Sequence, residues 1–298
     1  MKYVITGSLG HISKPLTNAL VNAGHEVTVI TSTPGRIPDI EALGAKALVG
    51  SVTDTTFLQK AFAGADAVYT MVPPNFATSD IKAHIGETGQ KYADAIKATP
   101  SIKYVVNLSS VGAHLPDGVG PVSGLYRAEQ ALNKLQGVHI RHLRPSYFYL
   151  NLLGQIPVIK HMGIMGSNFS VADKKFLLVL PDDIAAVAAE ELLRLDFTGR
   201  SVRYIASDEV STQDIASVIG KAIGKPDLQW VAFTDDQAFQ GMLQGGLPEE
   251  ISRNYVEMGR SIQSGAMNED YWKHHPVQLG KTKLEDFSKF FAAAYSAS

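Results

Sequence analysis

The 298-residue sequence contains no cysteine. Disulfides, thiolate metal centres and cysteine nucleophiles are thereby excluded, and the lack fits a reducing compartment. Charge is also scarce. Asp, Glu, Lys and Arg make up 19% of the residues and leave a formal net charge of −2, so no basic face for nucleic acid or anionic lipid is implied. No apolar run reaches the roughly 18 residues of a membrane span. The opening MKYVITG runs into a glycine turn, unlike a secretory leader. The expectation is a cytoplasmic protein with no membrane or nucleic-acid partner. His139, His142, His274 and His275 lack metal-ligand spacing with nearby carboxylates, so no metal is expected.

What is present is an alternation. Short apolar or β-branched runs at 2–6, 26–31, 45–49, 67–71, 104–108 and 139–143 predict strands. Helical patterns at 11–23, 38–43, 53–62, 79–98 and 125–136 fall between them. Strands alternating with helices imply right-handed crossovers and a parallel sheet. Several strands are nearly all apolar, as a sheet covered on both faces requires. The expected fold is α/β, a doubly wound parallel sheet of the Rossmann type. After Pro145 the rhythm changes, and 146–175 has no clear period. A helix at 181–195, a strand at 201–206 and a helix at 215–223 follow. Ser211 and Asp214 have capping-box spacing, as do Thr282 and Glu285 before the last helix. We expect a dinucleotide-binding domain over 1–150. Residues 151–298 then form a smaller α+β substrate domain that partly returns to the sheet.

Thr6-Gly7-Ser8-Leu9-Gly10-His11-Ile12-Ser13 follows the first strand and opens the first helix. A pyrophosphate needs close backbone approach and free N–H groups at a helix N-terminus. Gly7 permits the tight turn, and Gly10 removes a Cβ that would meet phosphate. The spacing is G-x-x-G-x-x-S, so Ser13 stands where a third glycine would pack helix on strand. An NAD site places a carboxylate at the end of the second strand to hold the ribose hydroxyls. Here that stretch is Thr31-Ser32-Thr33-Pro34-Gly35-Arg36. It has no carboxylate to repel a 2′-phosphate and one guanidinium suited to it. NADP(H) is favoured, with NAD(H) as the alternative.

These residues, together with Met71-Val72-Pro73-Pro74, Asn107-Leu108-Ser109-Ser110-Val111-Gly112-Ala113, Glu129 and Leu143-Arg144-Pro145-Ser146-Tyr147-Phe148, resemble the NmrA-like group. That group belongs to the atypical short-chain dehydrogenase/reductase superfamily. The likeness covers residues 1 to about 155 well and the remainder in outline. It implies NADPH-dependent reduction of a small apolar acceptor such as a quinone. The alternative is a non-catalytic NADP(H)-binding redox sensor. It also implies cofactor contacts from Thr6, Gly7, Leu9, Gly10, His11 and Ile12 in the turn, and from Thr31, Ser32 and Arg36 after the second strand. Further contacts are expected from Val52, Met71, Val72, Pro73, Asn107, Gln130, Pro145 and Tyr147.

Ordinary short-chain dehydrogenases carry Tyr-x-x-x-Lys on one helix, where the four-residue step puts both side chains on one face. Here the pair is Tyr126 and Gln130. Gln130 supplies no charge to lower the tyrosine pKa, which weakens an alcohol-dehydrogenase mechanism. Tyr126 and Ser109 are the catalytic candidates. Met162, Met165 and Phe169 are candidates to line an apolar cleft. The oligomeric state is not legible.

Overall fold

The computed structural model describes residues 1–173 and 175–298. Among the described residues twelve strands follow one another: β1 Lys2–Ile5, β2 Glu26–Thr31, β3 Lys46–Val49, β4 Ala67–Thr70, β5 Tyr104–Leu108, β6 His139–Pro145, β7 Tyr147–Phe148, β8 Met165–Ser167, β9 Phe176–Val179, β10 Arg200–Ile205, β11 Asp208–Val210 and β12 Trp230–Ala232. The α-helices are α1 Ser13–Asn22, α2 Ile37–Ala42, α3 Thr55–Phe62, α4 Ile81–Lys97, α5 Val122–Asn133, α6 Gln155–Met162, α7 Pro181–Arg194, α8 Thr212–Ala222, α9 Asp235–Gln244, α10 Glu249–Ser264, α11 Glu269–Lys273 and α12 Leu284–Ala297.

Seven strands form one sheet in the order β10-β6-β5-β4-β1-β2-β3, and all its pairings are parallel. Successive residues explain its two covered faces. Ile5, Val29 and Tyr69 join α1 and α7 in one apolar cluster. Their neighbours Val4, Ile30 and Val68 join α3, α4 and α5 in another. The pleat sends alternate side chains to opposite faces, so a sheet buried on both needs apolar residues at every step. The order reverses between β1 and β4. Ligands of open parallel sheets sit beyond the carboxyl ends of the strands at such a reversal.

The residues after β6 supply most of a second core, which includes Tyr149, Phe176, Trp230, Tyr271 and Phe291 and is joined by Val111, Ala113, Val119 and Val122. It holds two small sheets, β11-β9-β7 and β12-β8. The chain also returns to the main sheet, where β10 lies beside β6 with Ile205 level with Pro145.

Local signals account for several helix starts. The carboxylates of Asp54 and Asp80 accept the N–H of Phe57 and Ala83 at 3.0 and 2.8 Å, opening α3 and α4. Pro181 opens α7, with Asp182 and Asp183 in its first turn, and Ser211 and Asp214 close the capping box of α8. The box expected from Thr282 and Glu285 is absent. Lys283 is the N-cap of α12, and the Thr282 N–H donates to Asp183 at 3.1 Å. A tertiary contact has taken the amide that a local cap would use. The aperiodic stretch after Pro145 resolves into β7, a 3-10 segment Tyr149–Gly154, α6 and β8.

Candidate active site

A groove of about 770 Å³ runs over the carboxyl ends of β1, β2 and β4, within the roughly 300–1,000 Å³ typical of ligand sites. Gly7, Gly10, His11, Ile12, Thr31, Ser32, Val52, Met71 and Pro73 line it. Gly7 has φ +90°, and a Cβ there would lie 2.6 Å from Ser13 Oγ. The neighbouring Ser8 also has positive φ, at 54°, and its hydroxyl donates to Thr31 Oγ1 at 3.0 Å. This ties the turn to the end of β2. Ser13 does more than substitute for a glycine. Its hydroxyl donates to the Thr6 carbonyl at 2.9 Å, fastening the first turn of α1 onto β1.

The groove fits a dinucleotide in three respects. A Cβ on Gly10 would meet only the Gly7 carbonyl, at 3.2 Å, so its open side faces the groove it lines. The amides of His11 and Ile12, just before α1, make no backbone bond among the described residues. The buried Tyr69 hydroxyl, on another residue lining the groove, also lacks a partner among the described residues. Donors without protein acceptors, at the positive end of a helix, suit a phosphate.

Other expected contacts lie elsewhere. Thr6 is fully buried, and its hydroxyl accepts the Met71 N–H at 2.8 Å, so it braces the groove from behind. Leu9 packs into the apolar cluster beneath the turn. Arg36 lies outside the groove lining, more than half exposed and 3.4 Å from Asp39. Asn107 is buried in the sheet, where its amide bridges Thr70 at 2.9 Å and His142 at 3.1 Å. Gln130 is exposed, and neither it nor Tyr126 lines the groove or the adjoining pocket. The face of α5 turned to the cleft instead carries Val122 and Leu125. The helix sits one step round from what the Tyr-x-x-x-Lys analogy requires.

Beyond Met71, Pro74, Leu108 and Phe148 the groove adjoins a second pocket of about 340 Å³. Val72, Pro145 and Tyr147 line this part, as do Ser109 and Ser110. Its remaining walls come from the second half of the chain. Phe176 and Leu177 are on β9, Tyr255, Met258 and Ile262 on α10, and Met267 and Asn268 just beyond. No Asp, Glu, Lys, Arg or His is among the described residues that line it. Met165 and Phe169 are buried in the second core, and Met162 is exposed, so none of these three lines the pocket. Their apolar character alone could not separate core from cleft.

Beneath the pocket lies a buried polar chain. Ser109 Oγ donates to Glu129 Oε1 at 2.5 Å. Glu129 accepts two hydrogen bonds from Arg144, at 3.0 and 2.7 Å, and the pair is nearly solvent-free. Arg144 also donates to Tyr204 at 2.9 Å and to Asp270 at 3.3 Å. Burial alone would lower the Arg144 pKa, but the bonds and charges of Glu129 and Tyr204 outweigh it and hold the group protonated. The Ser109 proton is therefore committed to a carboxylate, and toward the pocket Ser109 offers lone pairs. Burial pushes the Tyr147 phenol up to about 12, with Tyr255 adding to the effect. Burial likewise raises Tyr255.

The fold and groove define a doubly wound, dinucleotide-binding α/β protein. Residues 7–139 match the family model described as NAD(P)H-binding. Over 263 residues the chain is 22% identical to a (4-alkanoyl-5-oxo-2,5-dihydrofuran-3-yl)methyl phosphate reductase of Streptomyces griseus, covering 88% of each protein. It is 23% identical over 310 residues to an NAD(P)H azoreductase of Xenophilus azovorans, covering 99% of each. Its fold is similar to that of an NADPH-dependent quinone oxidoreductase from Escherichia coli, with a TM-score of 0.78 at 18% identity over 97% of this chain and 98% of that one.

Proposed function

We propose that this protein is an NADPH-dependent reductase of a small, uncharged, conjugated acceptor such as a quinone. The observation that carries this reading is the pairing of two adjoining sites. A dinucleotide-sized groove shares Met71, Pro74, Leu108 and Phe148 with a pocket lined by no charged side chain among the described residues. When bound, the reduced nicotinamide supplies hydride. The chain's own contribution is positional: it binds, orients and excludes water. His11, Ile12 and Gly10 receive the pyrophosphate, Thr31 and Ser32 lie at the ribose end, and Phe148 and Leu108 mark the junction.

Neutral walls argue about the substrate. An anionic acceptor in this pocket would lose hydration and find no cation, which is costly. Phosphate-bearing or sugar-nucleotide substrates are therefore disfavoured here, although a phosphate ester appears in the name of one relative. NADPH is favoured over NADH because no carboxylate stands at Thr31 or Ser32. Arg36 can reach a 2′-phosphate only by leaving Asp39, an exposed pair worth little.

The test is to follow nicotinamide absorbance with NADPH and a panel of acceptors, pairing menadione with its sulfonated analogue. Turnover of menadione at least tenfold above the sulfonate is expected. Equal turnover of both overturns the neutral-acceptor reading. NADPH binding with no oxidation by any quinone overturns the reductase reading and leaves a dinucleotide-responsive regulator.

A further inference from the structure

Reduction of a quinone requires a proton as well as hydride, and the tyrosine expected to handle it, Tyr126, is not at the pocket. We infer that Tyr255, on α10 in the second half of the chain, is the proton donor to the reduced acceptor. The inference rests on the reductase reading above.

Elimination gives the first argument. Exchangeable side-chain protons at the pocket belong only to serines, asparagines and two tyrosines among the described residues. Amide and alkanol protons are far too weakly acidic to protonate a hydroquinone anion. The Ser109 proton is in addition engaged by Glu129. A phenol, ordinarily near 10 and raised by burial at both pocket tyrosines, is still by far the most acidic of these groups. That leaves Tyr147 and Tyr255.

Position separates the two. Tyr147 sits on β7, with its ring 5.2 Å from that of Phe176, packed against the second core. Tyr255 packs instead against the small cluster of Ile81, Ile85 and Ile251, beside Val72 and Leu125. Val72 and Leu125 also line the pocket, so Tyr255 stands where pocket wall and outer helices meet. Like Tyr147 it is partly exposed, so water can restore its proton after each turnover; what sets it apart is its packing on the outer helices. Its elevated pKa keeps it protonated, and hence a donor, throughout the neutral range.

Tyr255 is also held in place. Two residues along, Glu257 pairs with Lys82 of α4 at 2.8 Å. One residue before, the Asn254 carbonyl lies so close to Gly120 that a Cβ there would come within 2.1 Å of it. Helix α10 is thus fixed to the first half of the chain at both flanks of the tyrosine. The step balances as follows. The quinone gains hydride from NADPH, which becomes NADP⁺. One quinone oxygen takes the Tyr255 proton as the O–H bond of Tyr255 breaks, and the phenolate regains a proton from water.

The experiment compares Tyr255→Phe and Tyr147→Phe with the unmodified protein across neutral quinones of graded hydroquinone basicity. For Tyr255→Phe we expect kcat to fall about 100-fold, at the low end of general-acid effects, with KM within threefold. The loss should grow with the basicity of the reduced oxygen, whereas a purely structural role would lower every acceptor alike. Calorimetry of menadione with cofactor-free protein should show binding loosened no more than about tenfold, one hydrogen bond's worth. Tyr255→Phe within twofold of the unmodified protein on every quinone overturns the inference. So does a basicity-dependent loss in Tyr147→Phe instead, or menadione binding abolished in cofactor-free Tyr255→Phe. If the unmodified protein itself oxidises no NADPH with any quinone, the underlying reductase reading has failed instead.

Discussion

The groove and the pocket adjoin but are built differently. The phosphate end of the groove is largely backbone: a left-handed Gly7, an open Gly10 and amides at the start of α1, all within a few consecutive residues. The pocket has no glycine among its described lining residues, which are drawn from Met71 to Asn268. Backbone recognition constrains sequence at fixed spacing. A pocket assembled across some two hundred positions constrains it only by polarity. The groove therefore suits a ligand shared by many proteins, and the pocket suits a private one.

The largest expected effect tests the pocket's foundation. Arg144→Ala leaves Glu129 buried without its cation, and breaking such a pair costs about 3–5 kcal/mol. Chemical unfolding should show this as a lower midpoint with unchanged slope. A change under 1 kcal/mol would mean that the Ser109–Glu129–Arg144 chain is not structurally coupled. Next, Gly10→Val fills the open side of the groove. NADPH affinity should drop at least 100-fold, about 2.7 kcal/mol, while menadione still binds cofactor-free protein. Loss of both ligands together would break the distinction between the two sites. Third, Met258→Glu puts a carboxylate on the neutral wall. Menadione turnover should fall about tenfold with NADPH affinity within threefold, by steady-state kinetics and calorimetry. The smallest effect belongs to Arg36→Ala. It should weaken NADPH binding less than about tenfold and leave NADH unaffected, because Arg36 is exposed and already paired.

Stability against pH sharpens the contrast from beneath. His142 is buried between Asn107 and Asn133, and burial holds its pKa below the ordinary 6.5. The folded protein then binds fewer protons at this site than the unfolded chain. Stability from this group is complete above about pH 6.5 and declines as pH falls below it, by up to about 1.4 kcal/mol per pH unit. His142→Gln should flatten that part of the curve in unfolding experiments between about pH 5 and 7.

Much of the sheet was legible because its strands announce themselves as apolar runs between helical periods. The glycine turn was legible because strand, turn and helix fall in one short stretch. Two kinds of residue were misplaced and one was missed, each for a physical reason. Asn107 lies on β5, but its side chain serves a buried polar trio, which sequence spacing cannot reveal. Tyr126 and Gln130 have the right spacing on a helix that turns Val122 and Leu125 to the cleft instead, and spacing specifies a face without specifying which face is used. Tyr255 was missed altogether. It reaches the site through the tertiary packing of α10, with no nearby motif to flag it. A partial signal was available in the amphipathic run of α10, where Ile251, Tyr255, Met258 and Ile262 recur at helical spacing.

The return of β10 to the main sheet bears on synthesis. Strand β6 ends at Pro145, but its outer neighbour comes from residues 200–205. A nascent chain that has emerged only through the glycine turn and six strands exposes β6 as an unpaired edge, open to pairing with another chain. The same holds for any fragment cut near residue 150. Such a fragment should carry the glycine turn yet associate with itself, until a strand made some fifty residues later closes the ladder.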